Sequence, residues 1–364
     1  MTRNRDRTWG QGPLTAILPA CLLSICFAGP PAQTRAAAPA AGRTPTVSSP
    51  AALMKAISLA HPGGMILLAA GDYGALHLKD VKFAVPVTIA SADPARPAIF
   101  RGLSISDSAG LRFEHLLIEV PSKGAGVVAS DSSKLEFDHL TVHGDDAPRN
   151  GLGFMVRNVA GVRIENCDVS RLWGGINHLD DSQLVISGNR LHDLQEDAIR
   201  GGGSSDVLIS DNYMTDIVPL PGDHPDAIQF WGTALHPEVQ NIKITGNVFV
   251  RGAGRAAQGI FVADGAYRHV TVSKNAIVGG LFNGIVVSGA HDLTIEDNLV
   301  QGYTDNGSWI GVAESADVVV AGNESTGGIV RLKANTGMVE RGTRPLKPGA
   351  PGDLSVLERW RAHP

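Results

Sequence analysis

The sequence predicts an all-β, single-domain solenoid, a right-handed parallel β-helix with a capping helix at its N-terminal end. First, an apolar-x-apolar run closed by Asn or an acid recurs nine times, as LRFEH, LEFDH, VRIENC, LVISGN, VLISDN, IKITGN, VTVSKN, LTIEDN and VVVAGN. Its closing residues are Glu114, Asp138, Asn166, Asn189, Asn212, Asn247, Asn275, Asn298 and Asn323, in steps of 24, 28, 23, 23, 35, 28, 23 and 25 residues. Second, the alternation inside each copy has a period of two, so the repeat is a coil of short strands and not a helical hairpin. Third, another phrase stands about ten residues after each Asn, as GGINH at 174–178, EDAIR at 196–200, PDAIQFW at 225–231, QGIFV at 258–262 and NGIVV at 283–287, with NGLGF at 150–154 as an earlier copy. Two or three strands per coil, right-handed winding and Asn stacked at one corner make a parallel β-helix.

The elements follow in order. Residues 1–37 read as a signal peptide, with Arg3, Arg5 and Arg7 ahead of an apolar LTAILPACLLSICFAG stretch and a run of small residues, so the mature chain is expected to be periplasmic or secreted. Residues 38–48 are a Pro/Ala/Thr-rich linker. The solenoid is assigned to 49–335. It opens on a short amphipathic helix in which Ser49 caps, Pro50 sits where a missing amide costs nothing, and Leu53, Ile57 and Leu59 are apolar. A helix there covers the open end of the coil stack, which otherwise exposes unpaired strand edges. Residues 336–364 form a tail whose DLSVLERW segment, at 353–360 behind Asp353, is the expected cap of the far end.

Composition narrows the function. A formal charge of −5 gives no basic footprint for nucleic acid. Beyond the leader no stretch is long and apolar enough to span a membrane. Only Cys167 lies outside the leader, which excludes an intrachain disulfide and a multi-cysteine metal site. The chain is expected to be a monomer.

Coils with no other task keep one length, so departures mark loops that serve something else. The coil from Asn212 to Asn247 is twelve residues longer than a 23-residue coil, through VPLPGDHPDAIQFWGTALHP. Aligning the second phrases by their Ile puts Asn150, Gly174, Asp197, Asp226, Gln258 and Asn283 in one column. Asp197 and Asp226 then stand ~4.8 Å apart in neighbouring coils, beside Glu196, Asp223 and His224. Like charges so close share a proton or hold a cation between them. A shared proton suits glycosidic hydrolysis, whereas a cation such as Ca2+, with Asp223 as a further ligand, suits β-elimination next to a uronate carboxylate. Arg200 stacks on Gln229 and faces outward, because Ile199 must face inward. It binds a substrate carboxylate or takes the proton, with His224 as the other candidate base. A turn-capping role for the two Asp and a surface ion pair for Arg200 are the structural alternatives. Trp231, with Trp173, Phe230 and Trp309, offers faces for sugar rings or simply packs the coils.

Over residues 45–335 the chain resembles the right-handed parallel β-helix superfamily of pectate lyases, polygalacturonases and alginate-active lyases and epimerases. The resemblance rests on the repeated coil, the Asn ladder, the helical cap and the PGGMILLAAGDYG segment. QEDAI resembles the GDD motif of polygalacturonases, with Glu196 and Asp197 in the acidic positions, and HPDAI supplies a second acidic motif one coil later instead of one coil earlier. No GHG motif follows, and GIFV and GIVV stand where RIK is expected. The resemblance implies an exported carbohydrate-active enzyme, with Asp197, Asp226, Arg200 and His224 as catalytic candidates and Gln229, Trp231, Gln258, Asn283 and Glu196 as substrate-binding candidates. Cleavage of an acidic polysaccharide by β-elimination leads, hydrolysis by the Asp197/Asp226 pair and C5 epimerisation follow, and a non-catalytic glycan-binding scaffold is the rival of another class.

Overall fold

In the computed structural model the coils stack into three parallel faces, called here the first, second and third sheets, the first two being joined into one 22-stranded sheet because Ala125–Asp138 and Leu152–Glu165 run through both; the structure describes residues 46–145 and 149–362. Residues 1–37, expected to be a signal peptide, and most of the expected linker lie outside the described residues. Residues Thr44–Pro364 form one unit. The first sheet carries the second phrase, in strands such as Gly174–Leu179, Ile199–Gly202, Asp226–Trp231, Gln258–Val262 and Asn283–Ser288. A tight turn leads to the second sheet, which carries the apolar-x-apolar phrase, as in Ser182–Ser187 and Ser205–Ser210. The chain then turns at the Asn corner into a third sheet of twelve very short strands, from Gly71–Asp72 to Arg344–Pro345. The coils thus continue past residue 335.

Alternation explains the core. Leu184 and Ile186 are fully buried, and their register partners Val207 and Ile209 continue the stack in the next coil. Phe113, Phe137 and Phe154 fill the early coils with ring centroids 5.6 and 5.7 Å apart. Six asparagines, Asn189, Asn212, Asn247, Asn275, Asn298 and Asn323, form the corner ladder. Asn212 shows the pattern: its Nδ2 donates to Asn247 Oδ1 and to Ile186 O, both at 2.9 Å, while its Oδ1 accepts from the Asn189 backbone at 3.0 Å. The ladder starts later than the sequence suggests. From His115 onward the residue before the inner corner position has positive φ, and in the early coils of that series this outward residue is His115, His139 or Asn166. The inner positions there belong to Leu116, Leu140 and Cys167, all about 1% exposed. Glu114, Asp138 and Asn166 are therefore outside the ladder. Cys167 continues it through its backbone, which donates to Asn189 Oδ1 at 2.9 Å.

A second ladder, unread in the sequence, pins the turn between the first and second sheets. Ser108 and Ser132, then Asp181 and Ser204, then Ser315 and Asn335 each accept a backbone N–H from the coil before.

The N-terminal end is covered as expected. The helix Pro50–Ser58 is capped by Ser49, whose Oγ accepts from Ala52 N, and it inserts Leu53 and Ile57 into the end of the core while Leu59 is exposed. The C-terminal helix Ser355–Arg361 does something else. It packs Val356 and Leu357 on Val248, Val250, Ala276, Val278 and Leu299, on the outer face of the third sheet, instead of closing the far end. Those strands read VFV, AIV and LVQ, apolar on both faces, as expected of strands covered on both sides.

Candidate functional site

The first sheet breaks its alternation where its strands begin, and that break builds the site. Ala198 and Ile199 are both fully buried, as are Ala227 and Ile228, so the residue before each Ala is turned outward. Gly174 and Gly175 show the geometry one coil earlier. A Cβ at Gly175 would lie 2.7 Å from Leu191 Cδ2 in the core, whereas one at Gly174 would lie 3.9 Å from Asn177 Oδ1 on the outer face. Asp197 and Asp226 occupy the outward position next to Gly174. Ile199 pairs with Ile228, which places the two acids in adjacent rungs.

Their contacts separate them. Asp197, 3% exposed, accepts from Asp226 N at 2.7 Å and from Arg200 Nη1 at 3.1 Å. Burial raises its carboxyl above the ordinary range, and the Asp226 amide and the Arg200 guanidinium pull back against that. With both donors in place Asp197 is the better stabilised anion of the two. Asp226, 1% exposed, has neither carboxylate oxygen hydrogen-bonded. Burial first, then the neighbouring charges of Asp197 and Glu196, push it up to about 9, so at neutral pH it is a carboxylic acid. Glu196 is pushed up to about 7, by burial first, then by Asp197 and Asp223, with which it also shares a hydrogen bond. Arg200 lies between two indoles, 5.6 Å from the Trp173 ring and 5.5 Å from Trp231.

Four buried polar atoms without a partner gather here: both Asp226 oxygens, Arg200 Nε and Asn177 Oδ1, Asn177 being the register partner of Arg200. Buried polar groups are normally paired, so such a concentration marks a place where the fold holds polar atoms for something other than itself.

The other sequence-predicted residues divide. Gln229 pairs with Arg200 across the rungs and continues the outward column. Gln258 follows Asp226 in register, and Asn283 Nδ2 donates to Gln258 Oε1. Asn150 is not in the column, because Leu152 pairs with Gly174 and Phe154 with Ile176. His224 is exposed in the long loop, and no hydrogen bond or ion pair among the described residues ties it to the cluster. The expected cation site is not formed. Asp223 accepts instead from Leu220 N at 2.8 Å and Gln195 Nε2 at 3.2 Å, and among the described residues no three His, Cys, Asp or Glu side chains converge as metal ligands. Phe230 points into the core against His178 and offers no face to a sugar. His178 itself is buried, and desolvation drops its pKa to about 3. Arg200 is already engaged, its Nη1 on Asp197 at 3.1 Å and its guanidinium against two indole rings. Asn177 and Gln195 are site residues that the sequence reading does not pick out, whereas Trp173 stands against Arg200 as one of the aromatic faces it does name. Reading the same register one coil earlier would have placed Asn177 beside Arg200.

Among known proteins, the family model described as "Right handed beta helix region" matches residues 101–218. No curated protein matches. Solved structures with a similar fold include an alginate lyase from Paenibacillus sp. str. FPU-7, at 14% identity over 82% of this chain and 98% of that one with a TM-score of 0.48. PfbA, a surface adhesin of Streptococcus pneumoniae, matches at 13% identity over 81% and 88% of the two chains with a TM-score of 0.46. The GH136 lacto-N-biosidase from Eubacterium ramulus matches at 11% identity over 82% and 64% with a TM-score of 0.49. Similarity at this level concerns the fold and leaves the reaction to be argued from the site.

Proposed function

We propose that this chain, a right-handed parallel β-helix, is an exported carbohydrate-active enzyme that hydrolyses glycosidic bonds in a polysaccharide lying on its first sheet. The observation that carries the reading is the unpartnered, protonated Asp226 carboxyl beside two differently tuned carboxyls. Titratable groups whose environments push their pKa values apart supply acid and base at one pH. Asp226 donates its proton to the glycosidic oxygen as the bond to the anomeric carbon breaks. Glu196, ionised in about half of the molecules near pH 7, takes a proton from the attacking water. Asp197, anchored by Arg200, provides the fixed negative charge next to the positive charge that develops on the sugar ring.

Hydrolysis of a neutral glycan is favoured over β-elimination of an acidic one for an electrostatic reason. Among the described residues Glu196, Asp197 and Asp223 crowd one cation, Arg200, which Asp197 already pairs, while Asp226 carries its proton. Such a site repels a uronate and offers no free positive group to stabilise its enolate.

The test is a product assay of the mature protein on neutral glycans (xylan, laminarin, galactan, mannan) and on alginate and polygalacturonate. New reducing ends without unsaturated, ultraviolet-absorbing ends are expected, with the signal gone in Asp226→Asn. Unsaturated ends would establish β-elimination instead. Retention of glycan without any product would establish a binding scaffold.

A further inference from the structure

The column that starts at Asp226 ends in an aromatic pair. Asp226 pairs with Gln258, Gln258 is bonded by Asn283 in the next coil, and Asn283 pairs with Trp309 in the coil after that. Three rungs at ~4.8 Å place Trp309 roughly 14 Å from Asp226 along the solenoid axis. Phe282, from the loop before Asn283, lies against Trp309 with ring centroids 5.3 Å apart and is 47% exposed. The Trp309 indole N–H is itself buried without a partner, so the accessible surface of the pair is chiefly that of Phe282. An exposed aromatic face matches the apolar ring face that a sugar presents. Between the two ends, the bond from Asn283 to Gln258 leaves Gln258 Nε2 as a donor and Asn283 Oδ1 as an acceptor. Arg200 is the one cation along these two outward columns, from Gly174 to Trp309 and from Asn177 to Val286, and it is paired with Asp197.

We propose that Phe282 and Trp309 form a distal sugar-binding subsite, so that the substrate is a neutral glycan chain lying along the solenoid axis and reaching from Asp226 to Trp309. This rests on the hydrolase reading for what happens at Asp226, but not for the binding itself. Activity then depends on chain length. Short oligosaccharides that reach only Asp226 are poor substrates, and longer ones gain through KM.

The experiment uses Phe282→Ala, whose exposed side chain can be removed without disturbing the core, and Trp309→Ala beside it. Hydrolysis is followed on a length series made from whichever neutral glycan of the panel is cleaved, and binding of the same panel to Asp226→Asn is measured by calorimetry. Loss of about tenfold in kcat/KM on long chains, carried by KM, with short chains unchanged, is the expected result, the size of one good aromatic stacking contact. Hydrolysis by the parent protein with long chains unaffected in Phe282→Ala overturns the subsite and leaves the hydrolase reading standing. Binding of a polymer that Phe282→Ala weakens, with no products from the parent protein, keeps the subsite and removes the hydrolase reading. Absence of both binding and products overturns both.

Discussion

The Asn corner and the rim of the first sheet use the same vertical register for opposite ends. At the corner, each buried Asn from 212 to 298 hands its amide donor to the next Asn and accepts from the last, so the ladder is satisfied internally. At the rim, Asp226, Arg200 and Asn177 are stacked just as regularly, yet they keep polar atoms unmatched. Satisfied polar columns stabilise, and unsatisfied ones cost stability that a bound partner, water or ligand, returns. The contrast identifies which of two similar columns is structural.

Substitutions should separate the two regions. The largest effect is expected at the corner. Asn247→Ala removes the acceptor for Asn212 N and the donor to Ile209 O and Asn275 Oδ1, at about 1–3 kcal/mol for each buried group left unpaired. A loss of about 3 kcal/mol or more in denaturant unfolding is expected, with activity per folded molecule unchanged. An Asn247→Ala protein as stable as the parent would remove the ladder from the account.

At the rim, Arg200→Met strands the Asp197 charge. A loss of about 2 kcal/mol is expected at pH 8, less than for a fully buried pair because Arg200 is partly exposed. The loss should shrink as the pH falls and Asp197 takes up a proton. A penalty independent of pH would mean that Arg200 acts through packing on the two Trp rings.

A smaller and more specific effect is the pH profile. The base Glu196 works above about 7 and the acid Asp226 below about 9, so kcat/KM should be bell-shaped between these values. Glu196→Gln should lower the rate and abolish the acid-side limb. A profile centred near pH 5 would contradict both assignments.

Much of this was legible in the sequence, and the reasons for the rest are physical. Period-two alternation fixed the coils, and the Ile alignment brought Asp197, Asp226, Gln258 and Asn283 together, because parallel stacking without bulges preserves register. The ladder was misread in its first coils because its inner position there is Leu116, Leu140 or Cys167, while a positive-φ residue beside it carries the polar side chain. Asn150 was misplaced because LGF at 152–154, not NGL at 150–152, aligns with GGI. The cation site failed because carboxylates adjacent in sequence need not converge: Asp223 caps its own loop. The side-on packing of the C-terminal helix was written in VFV, AIV and LVQ, which are apolar without alternation.

The central claim is that Asp226 is held protonated at a cost to the fold because the reaction uses it. A carboxyl raised from an ordinary value near 3.8 to about 9 binds its proton more tightly in the folded state, so folding stability falls as pH rises between those values. The decisive measurement is unfolding free energy from pH 5 to pH 9, alongside glycan hydrolysis, for the parent protein and Asp226→Asn. The account predicts that Asp226→Asn flattens the decline in stability, is the more stable protein at pH 8, and hydrolyses its substrate about 100-fold to 10,000-fold more slowly. Equal slopes, or an Asp226→Asn protein that is less stable at pH 8 and fully active, would contradict it.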